Sequence, residues 1–201
     1  MKTQGAPATS FSGRVVPILN TPVDIDVRLM ITPQDYDILQ DIQDHGLKVK
    51  DVTNCNNDIL TIYKFTRTNP LLPYIYEYDK QLFKIDELWQ FPFETRCTKL
   101  GDCEDWALSL ASYLIASGVP YWRVRCVAGE TWKGFGHATV YVLADDLKTW
   151  VHINSTTPIS MINANNLTDL PKSNDSSDDI GIRDVWFSFN KQSYSIMGLE
   201  L

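Results

Sequence analysis

The chain has 201 residues, enough for one ordinary domain, and its 44% hydrophobic, 21% charged and 11% aromatic residues exclude a chain that is disordered throughout. The 18 Lys and Arg against 25 Asp and Glu give a net charge of −7 with no basic cluster, which argues against nonspecific nucleic-acid binding. No apolar run reaches the ~20 residues that span a bilayer, and Met1 to Gly13 lacks the apolar stretch of a signal peptide.

A cytoplasmic location without membrane contact is therefore the expectation, with residence in a virion as the alternative. Residues 1–20 read as a flexible arm, and residues 21–201 as a single domain. Pro22 to Met30 alternates, with Val23, Ile25, Val27 and Leu29 on one face, and predicts a half-buried strand. Thr32-Pro33-Gln34-Asp35 predicts a helix start capped by Thr32. Tyr36, Leu39 and Ile42 follow at helical spacing, and Gly46 is the stop. A second helix is expected from Asn57-Asp58, through Leu60, Ile62 and Tyr63, to Asn69-Pro70. From Pro73 to Phe93 the chain is rich in aromatics, including Tyr74, Tyr76 and Tyr78, and reads as a packing layer.

The clearest helix runs from about Glu104 to Ser117, with Ala107, Leu108, Ala111 and Leu114 on a broad apolar face, and Gly118 and Pro120 end it. Strand patterns follow at Tyr121–Val127, His137–Leu143 and Thr149–Asn154. Lys172–Asp179 reads as a solvated acidic loop, and Val185–Phe189 as the final strand. Helices followed by strands joined through short turns imply an α+β fold with an antiparallel sheet.

Cys55, Cys97, Cys103 and Cys126 show no CxxC spacing, so free thiols are the default, and a regulatory Cys97–Cys103 disulfide is the alternative. Cys103 falls where the central helix begins. Unpaired N–H groups and the positive dipole end there favour thiolate. A nucleophile needs a base, and His137 opens a strand after Gly134-Phe135-Gly136. The base needs an orienting group, and Asn154 ends the next strand, across a hairpin through Ala144-Asp145-Asp146. A lone Cys is usually core and a lone strand His usually structural, so it is the set that points to a thiol site.

These residues carry a resemblance. Glu87-Leu88-Trp89-Gln90-Phe91-Pro92-Phe93-Glu94-Thr95, Leu100-Gly101-Asp102-Cys103-Glu104-Asp105-Trp106-Ala107, Gly136-His137-Ala138 and Trp150-Val151-His152-Ile153-Asn154 resemble the transglutaminase-like superfamily, in particular its microbial cysteine-proteinase branch. The similarity covers about residues 74–158 and returns at Val185-Trp186-Phe187. It implies a papain-like α+β core, with a Cys-bearing helix packed on an antiparallel sheet. It also implies Cys103 as nucleophile, His137 as base and Asn154 as the orienting residue. The family's third residue is usually Asp. Asn154 can accept the imidazole N–H but brings no negative charge. His152, on the same strand face as Asn154, is read as cross-strand packing.

Trp89 and Gln90 are the two candidates for a side-chain oxyanion donor beside the Cys103 backbone N–H. No cofactor and no metal ion are expected; the acidic run Asp175–Asp179 lacks the spacing of an EF-hand. The implied activity is thiol-dependent acyl transfer on a peptide, isopeptide or Gln amide of a protein or peptide substrate, ending in hydrolysis. The alternatives are a transamidase, and a catalytically silent module of a phage particle or larger assembly whose partner docks on the N-terminal arm.

Overall fold

The computed structural model describes residues 10–16, 21–68, 75–84 and 87–196. Strand β1 (Ser10–Val16) pairs antiparallel with β2 (Thr21–Asp26), so part of the stretch expected to be loose is paired backbone. The alternation to Met30 overstated β2. Asp26 accepts the Arg28 N–H at 3.0 Å and turns Val27–Met30 into a 3-10 turn, which buries Val27 and Met30 and exposes Leu29.

Helix α1 (Tyr36–His45) is capped by Asp35 rather than Thr32, because the Asp35 carboxylate accepts the N–H groups of Asp37 and Ile38. Its buried residues are Ile38 and Asp41, while Tyr36 and Leu39 face solvent. Arg96 and the Tyr113 hydroxyl hold Asp41 inside, the guanidinium at 2.7 Å. Gly46 ends the helix in the left-handed region at φ 63°.

Helix α2 (Asn56–Thr68) buries Ile59, Leu60, Ile62 and Tyr63; the expected stop at Asn69-Pro70 lies outside the described residues. Next come β3 (Ile75–Tyr76), α3 (Asp79–Leu82) and α4 (Pro92–Thr98), then β4 (Leu100–Gly101), which runs parallel to β3. The aromatic stretch is not one packing layer. Trp89 is buried against Phe187 and Phe189, whereas Tyr76, Tyr78 and Phe93 are exposed; Tyr74 lies outside the described residues.

Helix α5 (Cys103–Ala116) is buried on every side from Glu104 to Leu114, since α1, α2 and α4 cover one flank and the sheet the other. The sheet comprises β5 (Val124–Thr131), β6 (Gly136–Leu143), β7 (Trp150–Ile153), β8 (Ile182–Phe189) and β9 (Tyr194–Ile196). Its order is β7-β6-β5-β8-β9, with every neighbour antiparallel. The first strand starts later than expected, because Tyr121–Arg123 form a 3-10 turn. Strand β9 is an addition beyond the expected last strand.

Val124, Cys126, Val140, Val142, Val151 and Ile153 join α5 in the main core. Burial of such aliphatic side chains contributes about 1.5–3 kcal/mol each and clamps the helix on the sheet. The acidic loop is not solvated throughout, because the half-buried Asp178 packs its carboxylate on His152. Among the described residues no helix is long and apolar enough to cross a membrane.

Candidate active site

The start of α5 is built by its acids. Asp105 is fully buried and accepts the backbone N–H and the side-chain amide of Gln90, both at 2.7 Å. It also receives the Asp102 N–H at 3.4 Å, which closes the first turn. Gly101 serves this arrangement, since a Cβ there would stand 2.6 Å from Asp105 Oδ2. Gly101 is therefore required by the acid beneath it. The approach of a substrate is not needed to explain it.

The same contacts engage both expected oxyanion side chains. Gln90 Nε2 is committed to Asp105 and to the Leu100 carbonyl, and the Trp89 indole N–H donates to Glu87 at 2.8 Å. Trp89 packs in the core on Phe187 and Phe189.

Cys103 Sγ receives the Ala138 N–H at 3.3 Å and lies 3.2 Å from Glu104 Oε2. Strand β7 ends at Ile153, opposite Val140, so no β7 residue faces Ala138, and the thiol takes the Ala138 N–H on that side. Burial pushes the Cys103 thiol above its ordinary value; the Ala138 N–H opposes this and Asp102 adds to it. The helix terminus was expected to favour thiolate, and here desolvation outweighs it.

His137 Nε2 and Asn154 Oδ1 are 3.2 Å apart and buried. Asn154 Oδ1 also accepts from Thr156 N and Oγ1, at 3.1 and 3.0 Å, which fixes the orientation of the amide. Nε2 must therefore carry the proton that Asn154 accepts, leaving Nδ1 as the basic nitrogen. Burial lowers the imidazole to about 4, His152 adds to this, and the Asn154 hydrogen bond opposes it. The ring is neutral above that pH.

The structure thus pairs His137 with Asn154 through the β6–β7 hairpin and ties Cys103 to the residue next to His137. Among the described residues the thiol makes no hydrogen bond to the imidazole; such contacts often tighten only when substrate binds. Gly136 lets the Trp186 indole close over this strand end, for a Cβ there would meet Cη2 at 3.1 Å.

One feature escaped the sequence reading. Asp79 of α3 joins Asp102 and Asp105, with one carboxylate oxygen of each within 4.8 Å of the others. Burial raises Asp79 to about 7 and Asp105 to about 8. Glu104 is pushed well up by burial, then by Cys103 and Asp102. Asp79 Oδ1, Asp102 Oδ1 and Glu104 Oε1 are buried with no hydrogen-bond partner among the described residues. The acids of α5 look like ordinary dipole partners in the sequence, and no spacing rule links Asp79 to them.

No protein-family model matches the chain, and no curated protein matches its sequence. Solved structures of LapG from Legionella pneumophila do match. The EGTA-treated form is 20% identical with a TM-score of 0.56, over 85% of this chain and 84% of that one. The calcium-bound form is 19% identical with a TM-score of 0.55, over 80% and 74%. A third LapG structure is 18% identical with a TM-score of 0.56, over 85% and 86%. At these identities the likeness is one of fold: the chain shares the LapG fold, here a helix that begins at Cys103 packed on a five-stranded antiparallel sheet.

Proposed function

We propose that the chain is a thiol acyl-transfer enzyme, a cysteine peptidase or amidohydrolase, with Cys103 as nucleophile, His137 as base and Asn154 as the residue that orients the base. The observation that carries this reading is the buried His137–Asn154 pair, its tautomer set by Thr156, beside a thiol held on the Ala138 N–H. The fold of LapG, a transglutaminase-like cysteine protease, supports it.

Burial raises the thiol and lowers the imidazole, so the resting pair is neutral. Cys103 Sγ then attacks the amide carbonyl as its proton passes to His137 Nδ1. The imidazolium returns that proton to the leaving amine. A water, deprotonated by the same nitrogen, releases the acid. An amine in place of water would give transamidation. The Cys103 backbone N–H at the helix start donates to the oxyanion.

The carboxylates beside Cys103 fit a hard divalent cation such as Ca²⁺, because the unpartnered oxygens of Asp79 and Asp102 lie buried in an all-oxygen group. Asp79, Asp102 and Asp105 would hold it. When bound it neutralises the acids at the start of α5. The matching LapG structures include a calcium-bound one.

The test is to incubate wild type and Cys103→Ala with mixed proteins and a labelled primary amine. New peptide termini that depend on Cys103 are the expected result. Cys103-dependent incorporation of the amine would instead favour a transamidase. Neither outcome, with Cys103 alkylated no faster than the other thiols, would favour a silent module.

A further inference from the structure

The reaction proposed for Cys103 calls for a second oxyanion donor. A carbonyl attacked by the thiol develops negative charge on its oxygen, and a single N–H satisfies only part of it. Both hydrogens of Gln90 Nε2 are committed, to the Asp105 carboxylate at 2.7 Å and to the Leu100 carbonyl at 3.1 Å. The Trp89 indole N–H is committed to Glu87 at 2.8 Å. The Ala138 N–H meets the sulfur at 3.3 Å, but from β6, the strand that carries the base. The leaving group must face that base, so the oxyanion has to form on another side.

Tyr76 reaches the sulfur from outside the five-stranded sheet. Strand β3 runs parallel to β4 with Tyr76 opposite Gly101, and the Glu77 N–H donates to the Gly101 carbonyl at 3.2 Å. That register sets Tyr76 beside the backbone that leads into Cys103. Its ring meets the Trp106 indole edge-on, with centroids 5.9 Å apart. Trp106 lies about one turn along α5 from Cys103, on the same helix face. The ring therefore spans the first turn of α5, and its hydroxyl hydrogen-bonds the Cys103 side chain.

The phenol is held on two sides and open on a third. Trp106 is buried, with the Arg67 guanidinium 4.4 Å from its ring centroid, and the Tyr78 ring packs edge-on against Tyr76 at 5.4 Å. Tyr76 itself is 39% exposed, so a substrate can touch it. A donor already fixed in place needs no reorganisation as charge develops, which is the condition for oxyanion stabilisation. Burial, and then the charge that Cys103 takes on, push the phenol far above its ordinary value, so it keeps its hydrogen.

We propose that Tyr76 is a catalytic residue whose hydroxyl is the second oxyanion donor. The inference rests on the reading of Cys103 as nucleophile. In the resting site the hydroxyl donates to the sulfur. When Sγ bonds to the carbonyl carbon, the C–O π pair moves onto the oxygen, which hangs from the atom now joined to sulfur. A donor at the sulfur is within reach of that oxygen, and the Tyr76 O–H and the Cys103 backbone N–H both donate to it. Tyr76 transfers no proton. The leaving amine takes its proton from His137 Nδ1 as the C–N bond breaks and the C=O bond re-forms. The phenol then stays on the thioester oxygen for the attack of water.

The test compares two reactions of one thiol in wild type and Tyr76→Phe, each mapped to Cys103 by peptide mass spectrometry. Acylation by 4-nitrophenyl acetate passes through an oxyanion. Alkylation by iodoacetamide is a displacement at saturated carbon and forms none. Tyr76→Phe keeps the ring and its contacts with Trp106 and Tyr78, so the fold is not at stake. Its acylation is expected to slow by about 100-fold, with alkylation changed no more than a few-fold. Equal slowing of both reactions would make the hydroxyl a structural anchor and overturn the proposal. Acylation at the wild-type rate in Tyr76→Phe would remove Tyr76 and leave the enzyme. Wild type that carries no acetyl on an alkylable Cys103 would remove the enzyme, and the oxyanion donor with it.

Discussion

At the scale of single residues, the site is governed by burial more than by charge. His137 falls from its ordinary 6.5 to about 4 because its neighbours exclude water. The sign of the consequence is set by proton binding. Between those two pH values the unfolded chain takes up a proton at His137 that the folded chain refuses, so stability is lost as pH falls through that window. The full shift corresponds to roughly 3 kcal/mol. Urea unfolding at pH 7 and near pH 4 is expected to show a shallower loss in His137→Gln than in wild type. Equal slopes would mean that the imidazole is protonated when folded. Asn154→Asp tests the neighbouring position. A carboxylate beside Nε2 is expected to raise the His137 midpoint, measured by ring NMR, and to move the acid limb of any activity upward with it.

At the scale of elements, the parts are joined by buried polar side chains as well as by apolar packing. Arg123 is fully buried and ties three segments together: it donates to the carbonyls of Leu143 and Val52 and to the Asp145 carboxylate, each at 2.8 Å. Asp145 in turn accepts the N–H groups of Cys55 and Asn56 at the start of α2. Arg123→Ala would leave those acceptors unsatisfied. Thermal unfolding is expected to show a loss of about 3–5 kcal/mol. Gly101→Ala tests the start of α5. Its new Cβ would displace Asp105, so a lowered Tm together with loss of Cys103-dependent acylation is expected. An unaltered Tm would mean that the Gln90–Asp105 bonds do not set the helix start.

Local rules succeeded where the signal was local. The Cys103 helix, its Gly118 stop and the β6–β7 hairpin follow from patterns a few residues long. The side of α1 that is buried did not follow, because Arg96 and Tyr113 arrive from other elements to hold Asp41 and so defeat a purely apolar count.

At the scale of the whole molecule, the residues that the sequence left unconnected are those brought together by chain returns. Asp79 reaches Asp102 from another helix, and Asp178 reaches His152 from a loop; neither approach has a spacing rule. Cys103, His137 and Asn154 lie at a helix start and at strand ends, places that short patterns reach, whereas the partners of Trp89 and Gln90, Glu87 and Asp105, are set by the folded chain. The buried acids also bear on the net charge of −7. A cation held by Asp79, Asp102 and Asp105 would offset like-charge repulsion in the core. Ca²⁺ is then expected to raise Tm and EGTA to lower it, with Asp79→Asn abolishing the difference. A Tm that ignores both additions would leave those carboxylates without a cation.

The most direct measurement is to locate the acyl-enzyme itself. Wild type treated with 4-nitrophenyl acetate and mapped by peptide mass spectrometry is expected to carry an acetyl group on Cys103. In His137→Ala, acylation at that thiol is expected to slow by about 100-fold or more. No acetyl at Cys103, or the same rate without His137, would contradict the thiol mechanism.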